Sequence, residues 1–353
     1  MNRVWDVLLQ LGLTRTVLLV FLVFIWGVAL FGTELNFSIL FSDCLVRTGM
    51  NGVLVLALVP AVRGGVGLNF GIPLGIVCGL LGMVLLMDAD IRGATSMFGA
   101  MVLGGGIAVI AGFLYARLLE RVKGQEMMVG IYVGFAAVAG ASIFWLVVPV
   151  RNPELVWPLG GSGLRNTLVL KDYYTQLLDH FGSVPLGKGF IPTGLLLFWL
   201  AACGLMTLFL RTRLGLAMSA AGQNPRFAES SGVNVRRMRT LGVVLSTVLG
   251  AVGIVVFSQS YGFVQLYKAP LLMAFPTVAA LLIGGASVRH ATIAHVIIGT
   301  FLFQSVLTSS LPVVNELIAK RGETSLGNIP EIARLIISNG IILYALSRRE
   351  GSS

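Results

Sequence analysis

Repeated apolar runs, each long enough to cross a lipid bilayer, constrain this chain more than any other feature. A transmembrane helix needs about 17–25 mostly apolar residues. Only 11% of the residues are charged, against about 25% in soluble domains. The sequence therefore predicts an all-α, polytopic membrane protein with about ten transmembrane helices in a single domain, residues 1–353. The predicted spans are 16–31, 45–62, 64–86, 97–115, 127–148, 193–210, 241–258, 271–283, the run from just after His290 to 307, and 332–346.

The charges between these runs predict an orientation. With the N terminus inside, the ten-span arrangement places fifteen of the 25 Lys and Arg residues inside and ten outside. Cytoplasmic loops are rich in Lys and Arg, so we expect both termini inside. This distribution accounts for the net charge of +10 without nucleic acid as a partner. Residues 1–14 are expected to form an interfacial helix and residues 149–192 an extracytoplasmic section, with a membrane-surface helix at 171–181.

The sequence carries no signature of an enzyme or a metal site. It lacks G-x-x-x-x-G-K-[ST] and H-E-x-x-H, the motifs for phosphate and zinc binding. No acid lies at the centre of a predicted span, where an ion-coupled carrier usually places its relay. We therefore expect no cofactor or metal on this chain and an energy source on another chain. Two alternatives stay open: an ion-coupled carrier, or an intramembrane transferase using Asp172, Asp179 and His180.

Residues 211–239, RTRLGLAMSAAGQNPRFAESSGVNVRRMR, form a basic segment with six arginines and one acid. Asn224 is suited to cap a helix, Pro225 to its first turn and Gly232 to its end. We expect a short helix at 225–231. Attraction to anionic lipid explains the arginines, whereas docking into a protein groove better explains a capped helix with small or polar faces, at Ala228, Ser230 and Ser231.

Glycines mark a candidate substrate path. The stretch 63–71, RGGVGLNFG, is either a helix break beside a wet cavity or an ordinary tight turn between two spans. A glycine every fourth residue from 71 to 79 predicts close helix packing. The stretch 280–287, ALLIGGAS, is expected to be a half-helix ending in a turn. The tentative path residues are Asn51, Gly65, Gly67, Asn69, Phe70, Gly284 and Gly285.

The basic segment and the start of the next run resemble the coupling region of ABC importer permeases of the simple-sugar, nucleoside and branched-chain amino acid group, which includes ribose-permease-like proteins. The family pattern runs roughly R-[ST]-x-x-G-x-A-x-x-A-x-G-x-N-P-x-A-A-x-x-x-G-[IV]-[NP]-V. Arg226 and Phe227 depart from it. LLIGGASVRHATIAHVIIGTFL is similar to a later family stretch with L-G-G-x-S, so the resemblance covers about residues 45–310. The matching positions are Arg211, Gly215, Ala217, Ala220, Gly222, Asn224, Pro225, Gly232, Val233, Asn234 and Val235.

The resemblance implies a type II-like ABC importer fold and a permease subunit in the plasma (inner) membrane of a bacterium, surrounded by membrane lipid. It implies a second permease subunit, identical or homologous, ATP-binding subunits that carry ATP and magnesium, and an extracytoplasmic solute-binding protein. The solute would be a simple sugar, a nucleoside or a similar small molecule. Family members often have an acid or Asn two residues after the glycine pair, where this chain has Gly67. The implied ATPase-coupling residues are Gly222, Asn224, Pro225, Arg226, Ala228, Ser231, Gly232 and Val233.

Overall fold

The computed structural model describes residues 13–122, 124–156, 163–320, 332, 335–336 and 339–343. Most of these residues are helical. The helices are α1 (Leu13–Gly32), α2 (Phe37–Leu56), α3 (Leu58–Arg63), α4 (Ile72–Asp88), α5 (Gly93–Arg121), α6 (Glu126–Val147), α7 (Leu177–His180), α8 (Thr193–Arg211), α9 (Arg213–Gln223), α10 (Pro225–Ser230), α11 (Val235–Tyr261), α12 (Ala269–Ile283) and α13 (Ile293–Lys320).

Six helical stretches in the described residues are long and apolar enough to cross a membrane, and three shorter apolar helices accompany them. All nine coincide with the first nine predicted spans. The described residues of the tenth, 332, 335–336 and 339–343, are helical. The helical, multi-span architecture is confirmed, whereas the number ten and the orientation stay predictions. The six stretches are Phe37–Arg63, Gly93–Arg121, Glu126–Val147, Thr193–Arg211, Val235–Tyr261 and Ile293–Glu316.

One predicted span begins at a different residue, and one predicted segment lies almost entirely outside the described residues. The third span begins at Ile72 rather than near residue 64, because Gly65 and Gly67 adopt φ angles of +78° and +90° that end helical geometry. The interfacial helix predicted at 1–14 lies outside the described residues except for its last two, where α1 begins.

Helix α11 lies at the centre of the bundle. It packs against α5, α4 and α2, and its 27 residues give a length of about 40 Å. Helix α4 approaches it through glycines. A Cβ on Gly75 or Gly79 would overlap the carbonyl oxygen of Thr247 or Ala251 on α11. The glycine repeat is therefore a helix-packing surface, as predicted.

Short strands cover the C-terminal end of α11, opposite the basic segment. Strand β1 (Thr167–Val169) pairs antiparallel with β4 (Phe263–Gln265), and β2 (Val184–Leu186) pairs with β3 (Gly189–Ile191). Strands β1, β2 and β3 and helix α7 belong to the section 149–192 that was predicted to lie outside the membrane, whereas β4 follows α11.

The surface helix predicted at 171–181 is wrong, since only α7 is helical within it. Gln176 adopts a left-handed φ of 51°, which interrupts helical geometry just before α7. Tyr173 and Tyr174 are 4% and 3% exposed, so their rings point into the protein rather than toward lipid headgroups.

Candidate functional site

The basic segment borders a cleft of about 760 Å³, which we call the basic cleft. Four connections between helices meet there, although they are far apart in the sequence. The cleft therefore joins the basic segment to the ends of several membrane helices. It is lined by Gly65, Val66, Gly67, Gly124, Gln125, Glu126, Met127, Met128, Gly222, Gln223, Asn224, Pro225, Arg226, Val288 and Arg289.

The short helix predicted in the basic segment is present as α10. The Asn224 side chain accepts a hydrogen bond from the Phe227 N–H (3.1 Å), and Pro225 occupies the first turn. Gly232 adopts a φ of +79° just after the Ser231 cap, as expected of a residue that ends a helix. The N–H of Val233 then donates to the Ala228 carbonyl (2.9 Å). Local sequence signals thus predicted α10 correctly, although it ends one residue early.

The side chains presented by α10 differ from the prediction. Ala228 is 1% exposed and packs with Ala221 and Val235 inside the protein. Its place on a docking face is therefore wrong, because this turn of α10 faces α9 and α11. Arg226 is exposed, and Phe227 is 64% exposed. The two residues that depart from the family pattern are therefore on the outer surface of α10, with the exposed Glu229, Ser230 and Ser231.

Two acids brace the basic segment from the neighbouring helices. Glu120 on α5 pairs with Arg236, and the Thr240 hydroxyl donates to the same carboxylate (3.1 Å). Glu126 on α6 pairs with Arg239. The Arg236 side chain is 75% exposed, so its pair adds little stability. The Arg239 and Glu126 side chains are only 18% and 14% exposed, and this pair fixes the start of α11 against α6.

A glycine contact joins α9 to the α3–α4 loop. A Cβ on Gly65 would lie 2.8 Å from the Cα of Gly222, and one on Gly222 would overlap the Arg63 carbonyl oxygen. Gly67 turns beneath Val288. Both loop glycines therefore lie in the basic cleft beside the predicted coupling residues. The stretch is a turn between α3 and α4, and its place beside a substrate path stays a prediction.

Asn69 is engaged within the protein. It is 1% exposed. Its amide donates to the Ser246 hydroxyl (2.9 Å), and its Oδ1 accepts from the Tyr115 hydroxyl (3.0 Å) and the Gly71 N–H (2.9 Å). This arrangement ties the α3–α4 loop to α5 and α11. Asn69 therefore has a structural role, and its place on the substrate path stays a prediction.

The remaining path residues make contacts within the protein. Phe70 is 6% exposed and packs on Phe275, with ring centroids 5.7 Å apart. Gly284 and Gly285 form the turn after α12, as predicted, and Gly284 packs against the backbone of α13. Asn51 is half-buried and donates to the Arg47 carbonyl (2.9 Å) on α2. Of the seven predicted path residues, Gly65 and Gly67 line the basic cleft, and Asn51 follows Met50, which lines a second cavity.

A second cavity, of about 740 Å³, lies at the opposite end of α11. We call it the polar cavity. Sequence reasoning missed it, because its residues come from α2, α7, β3, α11, β4 and α13 and share no motif. Charged and amide side chains mix with aromatic rings. It is lined by Asp43, Val46, Arg47, Met50, Gln176, Asp179, Phe190, Ser260, Tyr261, Phe263, Gln304, Leu307, Thr308, Leu311 and Pro312.

Asp179 is the most constrained acid of the polar cavity. It is 1% exposed. Its Oδ1 accepts from the Ser260 hydroxyl (2.9 Å) and the Gln259 amide (3.4 Å). Burial raises the pKa of its carboxyl, although these hydrogen bonds oppose the rise. Asp172 and His180 are exposed, so the three predicted transferase residues do not converge on one catalytic surface.

Comparisons with known proteins give one consistent result. The family described as "Branched-chain amino acid transport system / permease component" matches residues 40–346. The nucleoside ABC transporter permease protein NupC of Lactococcus lactis is 25% identical over 286 residues, 79% of this chain and 84% of that protein. The guanosine ABC transporter permease protein NupQ of Bacillus subtilis is 23% identical over 287 residues, with the same coverage.

A third relative matches a smaller part of the chain. The galactofuranose transporter permease protein YtfT of Escherichia coli is 25% identical over 214 residues, 57% of this chain and 58% of that protein. No solved structure matches the chain.

Proposed function

Because this chain belongs to the permease-component family of branched-chain amino acid transport systems, we propose that it is the membrane-spanning subunit of an ATP-driven importer. It is an ABC transporter permease and a multi-pass protein of the bacterial inner membrane. Its relatives are transport subunits named for nucleosides or for galactofuranose. The solute we propose is accordingly a nucleoside, a simple sugar or a similar small molecule.

The observation that carries the proposal is the construction of α10. A capped helix that exposes Phe227 at its surface suits a groove on another protein better than it suits water. We assign this groove to a separate ATP-binding subunit, which carries ATP and magnesium. Lipid attraction alone accounts for neither the cap nor the exposed ring.

The contacts around α10 suggest how movement passes into the membrane. ATP binding closes the two ATP-binding subunits and displaces α10. The Gly222–Gly65 contact passes the displacement to α3 and α4. The ion pairs of Arg236 and Arg239 pass it to α5 and α6. These contacts join backbone atoms or paired side chains directly, so a displacement of α10 moves the neighbouring helices with it.

The two cavities support the proposed orientation. The basic cleft gathers chain segments assigned to the cytoplasmic side by charge, and the polar cavity gathers segments assigned to the other side. Helix α11 connects the two ends. We propose ten spans with both termini in the cytoplasm. On the outer side, the section covering α11 would receive solute from a binding protein, and a second permease would complete the pathway.

Purification of the chain in mild detergent from its native host tests this function. We expect an ATP-binding subunit to co-purify, and vesicles containing the complex to take up solute only when they are supplied with ATP and the binding protein. A chain that purifies alone and transports in ATP-free vesicles would refute the proposal. Uptake that follows a proton or sodium gradient would instead indicate an ion-coupled carrier.

A further inference from the structure

Two arginines at the basic cleft have no partner within the described chain. Arg226 on α10 and Arg289 in the loop between α12 and α13 both line the cleft, and both are exposed. Neither forms an ion pair or a hydrogen bond with any residue that the structure describes. Arg236 and Arg239, farther along the basic segment, pair with acids instead. The two cleft arginines are therefore available to a partner.

The acid of the cleft does not neutralise these two charges. Among the described residues that line the cleft, Glu126 is the only acid. Its Oε1 pairs with Arg239, and its Oε2 accepts a hydrogen bond from the Gly124 N–H (2.9 Å). Both carboxylate oxygens of Glu126 are thus occupied by groups other than the two cleft arginines. The cleft therefore carries two positive charges that the described chain leaves uncompensated.

The backbone of the cleft wall indicates what the cleft faces. Gly65, Gly67 and Gly124 all line it, and they adopt φ angles of +78°, +90° and +90°. The wall is therefore built largely from turns. Irregular backbone is not exposed to lipid, because its N–H and C=O groups would lack hydrogen-bond partners there. The cleft accordingly opens toward water or another protein rather than toward acyl chains.

Phe227 places a protein partner close to the cleft. It follows Arg226 on α10 and is 64% exposed, and we have assigned it to a groove of the ATP-binding subunit. A partner that buries the Phe227 ring must also approach the neighbouring guanidinium and displace water from it. Loss of hydration without a compensating charge is costly for an arginine. A surface that binds Phe227 favourably must therefore bring a carboxylate to Arg226.

We propose that the basic cleft receives an acidic segment of the ATP-binding subunit, whose carboxylates pair with Arg226 and Arg289. The inference rests on the proposed importer function and names the chemistry of the partner surface at this site. The cleft volume of about 760 Å³ lies within the usual range of binding pockets. Val66, Met128 and Val288 supply apolar lining for the stems of the acidic side chains. A segment held between the two arginines moves α12 and α13 together with α10.

The affinity of the detergent-purified permease for its ATP-binding subunit tests the pairing. The test variants are Arg226→Gln and Arg289→Gln, which remove the charge and keep a polar side chain. Arg213→Gln is the matched control. Arg213 is an exposed arginine of the same basic segment, but it does not line the cleft and lies about 14 Å along α9 from Gly222.

We expect each test variant to weaken the affinity about tenfold, because a hydrogen bond to a charged group contributes at least about this factor. Arg289→Lys keeps the charge and should retain most of the affinity. Added salt should weaken the native complex more than the complex of the Arg226→Gln, Arg289→Gln double variant, because salt screens charge pairs. The Arg213→Gln control should behave as the native chain does in both measurements.

Zero-length crosslinking identifies the partner group. A carbodiimide joins a lysine amine to a carboxylate that lies in contact with it. Arg226→Lys and Arg289→Lys place the amine in the cleft, and Arg213→Lys places it outside. We expect mass spectrometry to find both cleft lysines joined to Asp or Glu residues of the ATP-binding subunit, and the lysine at position 213 not joined to that subunit.

Three results would overturn the acidic partner. They are equal affinity losses in a test variant and the control, crosslinks only to carboxylates of the permease itself, and unchanged affinity with loss of co-purified anionic phospholipid. The last result would assign the arginines to a lipid headgroup. If uptake still depends on ATP in any of these cases, the importer function stands without this contact. If the native chain binds no ATP-binding subunit and uptake is independent of ATP, the importer function fails and the inference fails with it.

Discussion

Phe227→Ala perturbs the proposed docking surface without removing the helix that carries it. A phenylalanine side chain offers about 200 Å² of surface, and 64% of Phe227 is exposed, so about 130 Å² is available to a partner. At about 25 cal/mol per Å², its burial stabilises a complex by about 3 kcal/mol. Alanine keeps the backbone N–H that donates to Asn224 and favours a helix.

The measurement is the affinity of the detergent-purified permease for its ATP-binding subunit, together with the ATP hydrolysis rate of the complex. About 3 kcal/mol corresponds to an affinity loss of about a hundredfold. Phe181→Ala is a matched control, since Phe181 is 71% exposed but follows α7 at the other end of the bundle. It should leave both quantities unchanged. Unchanged affinity in Phe227→Ala, or equal losses in both variants, would refute the docking role of α10.

Three further substitutions test the surrounding structure. Gly222→Ala should lower the free energy of unfolding by about 1–3 kcal/mol, and with it the melting temperature, because the new Cβ overlaps the Arg63 carbonyl oxygen. Gly204→Ala places its Cβ in open space and should not lower the melting temperature. Equal effects of the two substitutions would contradict the close approach of Gly222 to Arg63. Asn224→Ala removes a helix cap worth about 1 kcal/mol and should speed hydrogen exchange in α10, whereas Asn224→Ser should keep the protection; equal exchange in both would contradict the cap. Burial raises the pKa of Asp179, so the folded protein keeps this proton at a pH where the unfolded chain has lost it, and stability falls as pH rises from about 4 through the raised pKa. Asp179→Asn should therefore melt higher than the native chain near pH 7, with the difference shrinking toward pH 4; a constant difference would contradict the burial of a charged carboxylate.

Features encoded by neighbouring residues were predictable from the sequence. The nine described apolar runs and the short helix at α10 follow from hydropathy, from Asn-Pro and from Gly232. The glycine repeat of α4 correctly predicted close packing, because its four-residue spacing lies on one helical face. In each case the signal and the structure that it specifies lie within a few turns of the chain.

Features that depend on distant partners were not predictable. Asn69 looked available because Tyr115 and Ser246, its partners, are 46 and 177 residues away. Ala228 looked suited to a docking face because nothing in the short helix itself shows that α9 and α11 cover it. A hydrophilic residue in a glycine-rich turn can satisfy the fold as readily as a ligand, and only the tertiary contacts distinguish the two roles.

The polar cavity shows the same limit for binding sites. Asp179 and Gln304 are 125 positions apart in the sequence, on α7 and α13, and neither belongs to a recognisable motif. The three residues chosen for a transferase were close in sequence, but only Asp179 is buried. Closeness in the sequence therefore did not identify residues that share a site. The polar and aromatic side chains of the polar cavity are brought together by the packing of α2, α11 and α13.

Site-specific photocrosslinking tests the central claim most directly. A photoreactive phenylalanine analogue replaces Phe227 in one sample and Phe181 in another, and each complex is irradiated in native-host membranes with and without ATP. We predict that position 227 crosslinks to an ATP-binding subunit, that ATP changes the yield, and that position 181 never forms this product. An ATP-binding subunit captured from position 181, or none captured from position 227, would contradict the assignment of α10 as the coupling surface.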